Sequence, residues 1–311
     1  VPSLDEYATH SAFTDPGRHR DLLGATGTSP DDLHRAATGV VLHYRGQRDR
    51  LTDEQLPDVD LRWFSAQLEV VRHRAALPLG AHRTDAQHLA GCCRDHTLLA
   101  VAVLREHGIP ARSRVGFADY FEPDFHHDHV VVERWDGARW VRFDSALDPA
   151  DHLFDVDDMP AGEGMPFETA AEVWLAARAG RVDPRRYGVD KAMPHLIGIP
   201  FLLGEVFLEL AHRQRDEILL WDVWGVGIPP FARPDGLAPV TMSDDEMAEL
   251  ADEVARLVVA ADDGDDAADA ALDARYAADP RLRPTANPLV ALSPLERIGD
   301  VDLTARTTTW R

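Results

Sequence analysis

Only two cysteines occur in 311 residues, and they are adjacent, so no disulfide framework exists and a reducing compartment is expected. Lysine is nearly missing as well. Lys191 is the only one, and arginine supplies the rest of the positive charge, which fits either a GC-rich codon usage or a halophilic source. Lys and Arg together number 32 against 54 Asp and Glu, a net charge of −22 at pH 7. That surplus repels nucleic acid and anionic membranes, and neither is expected as a partner. No apolar stretch approaches the roughly 20 residues of a membrane span. The beginning, Val1-Pro2-Ser3-Leu4-Asp5, has neither the basic start nor the apolar run of a signal peptide. A cytoplasmic location is the expectation, although a signal already removed would leave the same beginning. No repeat of solenoid period, H-E-x-x-H helix or C-x-x-C pair is present.

What is present is a soluble globular composition, with 45% hydrophobic and 28% charged residues and enough length for a full core. The first ninety residues read as helices joined by polar loops. Ser29-Pro30-Asp31-Asp32 supplies a cap and first-turn acids for a helix through Leu33, Val40, Val41 and Tyr44. A second helix is expected from about Leu61 to Ala75. Beyond Cys92, Leu98, Leu99, Val101, Ala102 and Leu104 form an apolar stripe at helical spacing, closed by Gly108-Ile109-Pro110. Strand-like runs follow at Arg112 to Phe121, His129 to Trp135 and Arg139 to Phe143, the last two joined through Asp136-Gly137. Helical segments return at Phe167 to Ala179, Ile199 to His212 and Ser243 to Ala261. The acidic, alanine-rich Asp262 to Asp273 reads as a solvated helix face or a mobile loop.

The chemistry-bearing residues come in the chain order Cys93, His129, Asp144. A thiol attacks only as thiolate, and a helix start lowers its pKa through free N–H groups and the dipole. Cys92 and Cys93 would stand about 100° apart around a helix, so both cannot face one imidazole. On a period of two, His129, Val131, Glu133 and Trp135 share a strand face. If the next strand pairs through the Asp136-Gly137 turn, Asp144 comes close to the level of His129, where it could accept the imidazole N–H and fix its tautomer.

Gly91-x-Cys93-Arg94-Asp95, the helix after it, and Gly108-Ile109-Pro110-Ala111-Arg112 with Gly116 resemble the signature of the transglutaminase-like superfamily, a branch of the papain-like cysteine enzymes. The resemblance runs from about Gly91 to Pro149 and continues in His129-x-x-x-Glu133 and Trp140-Val141-x-x-Asp144. In that signature the cysteine stands two after the glycine, which is Cys93. Thr14-Asp15-Pro16-Gly17-Arg18 and Leu220-Trp221-Asp222-Val223-Trp224-Gly225 resemble segments of a bacterial group in the superfamily whose members mostly lack a known substrate. The second stretch could equally be an aromatic core turn. Val131 stands where an aromatic is usual, and Asp144-Ser145-Ala146 replaces Asp-Pro-Thr. These departures, and the absence of recognisable calcium-binding loops, point away from the protein-crosslinking transglutaminases.

The resemblance implies an α/β (α+β) fold of the cysteine-protease-like kind, with a helix packed on an antiparallel sheet. One domain is expected over 1–311: a helical part over 1–84, a catalytic core over 85–155 and a mainly helical part over 156–311. It implies a cysteine hydrolase or acyltransferase acting on an amide, ester or thioester through a Cys93 thioester, with His129 as base and Asp144 as orienting acid. Gln87, six residues before Cys93, is a candidate oxyanion donor and Glu133 a supporting residue. No cofactor is required. The partners expected are a small-molecule or peptide acyl substrate and an amine acceptor. Two other readings compete: a binding protein that kept the fold without turnover, and a metal site at His126-His127-Asp128-His129. On an extended strand residues 126 and 128 would face away from 127 and 129, so at most two of the four converge.

Overall fold

The computed structural model describes residues 2–234 and 242–311. The chain divides into two compact units, the first comprising Pro2–Arg114 and Val130–Pro160, the second Val115–His129 and Ala161–Arg311.

In the first unit, short helices α1 (Leu4–Tyr7) and α2 (Arg20–Gly24) precede α3 (Pro30–Val40). Ser29 caps α3 by accepting the Asp32 N–H, and Pro30 occupies the first turn, where no N–H is needed. The helix stops at Val40 instead of running to Tyr44. Two β-branched residues at the end, Val40 and Val41, favour extension, and Val41 is already extended. It opens β1 (Val41–His43), which pairs in parallel with β2 (Leu89–Gly91), a pair the sequence reading did not contain. Between them lies α4 (Phe64–Arg74).

The centre of this unit is α5 (Cys93–Glu106), buried at every position from Cys93 to Arg105. Its middle, Leu98 to Leu104, is apolar on all sides, as suits a helix inside a core. It ends where the sequence predicts. Gly108 adopts φ +70°, and the Gly108 and Ile109 N–H groups return to the carbonyls of Arg105 and Leu104. The chain then enters the long strands β3 (Ala111–Glu122) and β4 (Phe125–Trp135), followed by β5 (Trp140–Phe143). Strands β4 and β5 are antiparallel, with Val132 opposite Phe143 and Glu133 opposite Arg142. Their turn is held by Asp136, whose Oδ1 accepts the N–H groups of Ala138 and Arg139 at 2.8 Å.

In the second unit β6 (Phe167–Thr169) pairs antiparallel with the distal half of β3. Gly116 has to be glycine there, because a Cβ would lie 2.1 Å from the Glu168 carbonyl oxygen. Thr169 and Glu172 form a capping box that starts α6 (Ala170–Arg178), so the run Phe167 to Ala179 is a strand turning into a helix. Strand β7 (Tyr187–Gly188) pairs in parallel with the start of β4. Then come α7 (Ile199–Arg213), β8 (Asp222–Trp224), α8 (Asp244–Asp262) and α9 (Asp266–Ala278). Trp174, Val206, Leu210, Val254, Val258 and Leu272 fill the core among these helices. The acidic stretch after Asp262 forms most of α9, which buries Ala268, Leu272 and Tyr276 and turns its aspartates outward.

The second unit also carries a sheet that periodicity did not reveal. Strands β9 (Leu289–Ser293), β10 (Arg297–Asp302) and β11 (Thr307–Trp310) join β8 in the order β11-β10-β9-β8. Trp224, in the second stretch of the bacterial-group resemblance, lies on β8 and donates its indole N–H to the Arg281 carbonyl. In the first stretch, buried Thr14 accepts from Arg105 of α5 at 3.1 Å. Among the described residues no helix is long and apolar enough to cross a membrane.

Candidate active site

Cys93 is the first residue of α5, and its surroundings follow from the residues on either side. β2 delivers the chain to Gly91, where an added Cβ would lie 2.8 Å from both Asp95 Oδ2 and Val41 Cγ1. The absent side chain lets Asp95 fold back over the helix start. Its Oδ2 accepts the Cys92 N–H at 2.8 Å, while Oδ1 accepts from Gln67 Nε2 at 2.8 Å and Arg94 Nη1 at 2.9 Å. Arg94 also donates to the Arg62 carbonyl at 2.6 Å. Arg94 and Asp95, both fully buried, thus fix the entry to the helix that carries Cys93. The first N–H groups of any helix lack intrahelical acceptors, so this is where an anion is stabilised.

Cys92 is not on the helix. It is the N-cap, in extended conformation with φ −129° and ψ −170°. The 100° separation expected of two helical cysteines therefore does not hold, and the two thiols are hydrogen-bonded to each other. Cys92 is pushed well above the ordinary thiol range, first by that bond, then by burial and by the charges of Asp95 and Cys93. Next on the helix, His96 donates its Nδ1–H to the Cys92 carbonyl at 3.0 Å, and burial foremost lowers its pKa, holding the ring neutral.

Asp144 directly follows β5 and is buried. Continuing the β4–β5 register by one step sets it across from Val131, the second residue after His129. Its backbone N–H reaches the Val156 carbonyl at 3.2 Å, and its Oδ1 accepts the Ala146 N–H at 2.8 Å. That bond gives the Asp144-Ser145-Ala146 segment its own Asx turn without a proline.

His129 belongs to the second unit, on β4, and is 4% exposed. Three rings meet its imidazole edgewise: Phe121 at 5.0 Å, Tyr120 at 5.9 Å and Phe167 at 6.5 Å between centroids. The position two residues after the histidine, where an aromatic is usual, holds Val131. The aromatics come instead from β3 and β6, and no spacing along β4 signals them. Of the other histidines in the cluster, His126 stacks on Tyr187 at 4.2 Å and His127 donates to the Val189 carbonyl at 3.0 Å. Among the described residues no group of three or more His, Cys, Asp or Glu is placed to hold a metal ion.

The two secondary candidates have structural employment. Gln87 ends a 3-10 turn, and its Oε1 accepts the Thr84 N–H at 2.9 Å. Glu133 is buried among three guanidinium groups. It receives Arg112 Nε at 2.7 Å, Arg114 Nη1 at 3.1 Å and Arg142 Nη2 at 3.0 Å. Arg112 in turn lies 4.2 Å over the Trp140 ring. The arginines come from β3 and β5, a convergence that only strand pairing creates.

The stretch bearing Cys93, His129 and Asp144 coincides with a family match: residues 71–145 fit the model of the Transglutaminase-like superfamily. Residues 71–145 are similar to a transglutaminase-like core. A solved structure of a Cytophaga hutchinsonii protein, described as "a Putative Cysteine Protease", is 21% identical, covering 49% of this chain and 45% of its own. The likeness spans less than half of that protein's length, with a TM-score of 0.30. A comparison with curated proteins found no match. The matched stretch contains the buried helix α5 and the antiparallel strands β4 and β5.

Proposed function

We propose that this chain is an acyl-transfer enzyme that works through a thioester on Cys93. The observation that carries the reading is the position of Cys93 at the start of α5, next to a Cys92 thiol that stays protonated. Of the two thiols, Cys93 is then the nucleophile. The Cys93 thiol gives its proton to His129, and the resulting thiolate attacks the carbonyl carbon of an amide, ester or thioester, whose C=O electron pair moves onto oxygen. The resulting oxyanion is met by N–H groups of the helix start. When the carbonyl re-forms, the carbon–leaving-group bond breaks and the leaving group takes a proton from the His129 imidazolium. Water or an amine then gives a proton to His129 and attacks the thioester, returning the Cys93 thiolate.

Asp144 is proposed to accept the other imidazole N–H and so hold the tautomer. The Asx turn, which ties one of its oxygens, and its burial support a fixed orienting role. The Tyr120 and Phe167 rings support a fixed imidazole plane. Whether the product is an acid or a new amide depends on the acceptor, so hydrolysis and amide transfer share one acyl-enzyme. The test is turnover of a panel of simple amides and thioesters by the parent and by Cys93→Ala. The expected result is turnover that disappears in the variant while the fold survives; equal rates would overturn the reading.

A further inference from the structure

Phe121 is 48% exposed, yet its ring lies 5.0 Å from the His129 imidazole, at 72° to it. It is braced by Tyr120, whose ring is 4.7 Å away, and lies 6.2 Å from His127. An exposed aromatic held by other rings beside a buried histidine is an apolar wall with an open side. Resting on the acyl-transfer reading above, we infer that Phe121 recognises the leaving group, and that the preferred leaving groups carry an aromatic or other bulky apolar body.

The chemistry of the base dictates this assignment. A leaving group receives its proton from His129, so its heteroatom comes within hydrogen-bond distance of the imidazole. Whatever that heteroatom carries then lies alongside a ring 5.0 Å from the same imidazole. A small leaving group such as ethanethiol leaves most of Phe121 wet, whereas a phenyl-bearing one removes apolar surface from water on both partners. Such binding is equal in ground state and transition state, so it lowers KM and leaves kcat unchanged.

The experiment compares S-benzyl and S-ethyl thioacetate, which share one acyl group, by release of thiol. The parent is expected to favour the S-benzyl ester by about tenfold in kcat/KM, the lower end for contact with an apolar wall. In Phe121→Ala that preference should collapse through KM, and Phe121→Leu should restore part of it. Cys93-dependent turnover without any preference overturns the inference alone. So does a Phe121→Ala variant whose kcat falls equally on both esters, since that marks a ring that merely positions His129. Absence of Cys93-dependent turnover on either ester overturns the acyl-transfer reading and the inference with it.

Discussion

The Asp95 carboxylate accepts the Cys92 backbone N–H at 2.8 Å and thereby closes the start of the helix on which Cys93 stands. Its second oxygen neutralises Arg94, so cap and buried ion pair are the same group. Asp95→Ala would leave Arg94 charged and buried, and Gln67 without its side-chain acceptor. A loss of about 3–5 kcal/mol is expected for a broken buried pair. Urea unfolding of parent and variant checks this, and a loss below about 1 kcal/mol, the range of a surface pair, would mean the clamp is dispensable.

The neighbouring thiols should differ in reactivity. Cys92 is pushed up by its bond to Cys93 and by burial, so it remains a thiol near neutrality. Iodoacetamide at neutral pH is expected to label Cys93 well ahead of Cys92 in a peptide map. Preferential labelling of Cys92 would reverse the assignment of the nucleophile.

Glu133 should matter for stability and little for chemistry. Glu133→Gln leaves Arg112, Arg114 and Arg142 buried without their carboxylate, at a cost of about 3–5 kcal/mol. The rate per folded molecule should stay near that of the parent. A variant that is fully stable but slow would move Glu133 from scaffold to mechanism.

The reach of the sequence had a physical limit. Helix α5 and the β3-β4-β5 run were legible because each is long, strongly patterned and bounded by glycine or a tight turn. The pair β1–β2 was not, since three-residue strands hold too few positions for a period to show. Thr307–Trp310 has no alternation of apolar and polar residues, and it is a strand because β10 pairs with it. For the proposed site, spacing within one motif nominates Cys93, His129 and Asp144. The arginines around Glu133 and the rings around His129 come from other strands and become neighbours only through sheet register. The Cys92 conformation turned on a helix boundary one residue later than a helix through both cysteines would need.

Stability should also respond to acid through His126. Burial foremost, then the charges of Arg186 and His127, lowers its pKa from 6.5 to about 4; Glu168 lies 3.6 Å away and Tyr187 is stacked on it. The folded protein keeps the ring neutral, while the unfolded chain protonates it from its ordinary value downward. Its contribution is therefore present above about pH 6.5 and is lost as the pH falls toward 4. Asp216, raised to about 6 mainly by burial, has the opposite sign, its contribution being lost as the pH rises from 3.8 through 6. Comparing the parent with His126→Gln cancels Asp216. The parent's margin over the variant in urea unfolding should shrink between about pH 7 and pH 5; a constant margin would contradict the burial of a neutral His126.

The central claim is a covalent acyl group on Cys93. Intact-mass measurement after brief incubation with S-benzyl thioacetate, followed by peptide mapping, tests it most directly. The predicted result is a gain of one acetyl group located on Cys93, absent in Cys93→Ala and longer-lived in Asp144→Asn, in which the imidazole is held in the wrong tautomer. An unmodified Cys93 while thiol is released, or equal release by the parent and Cys93→Ala, would contradict it.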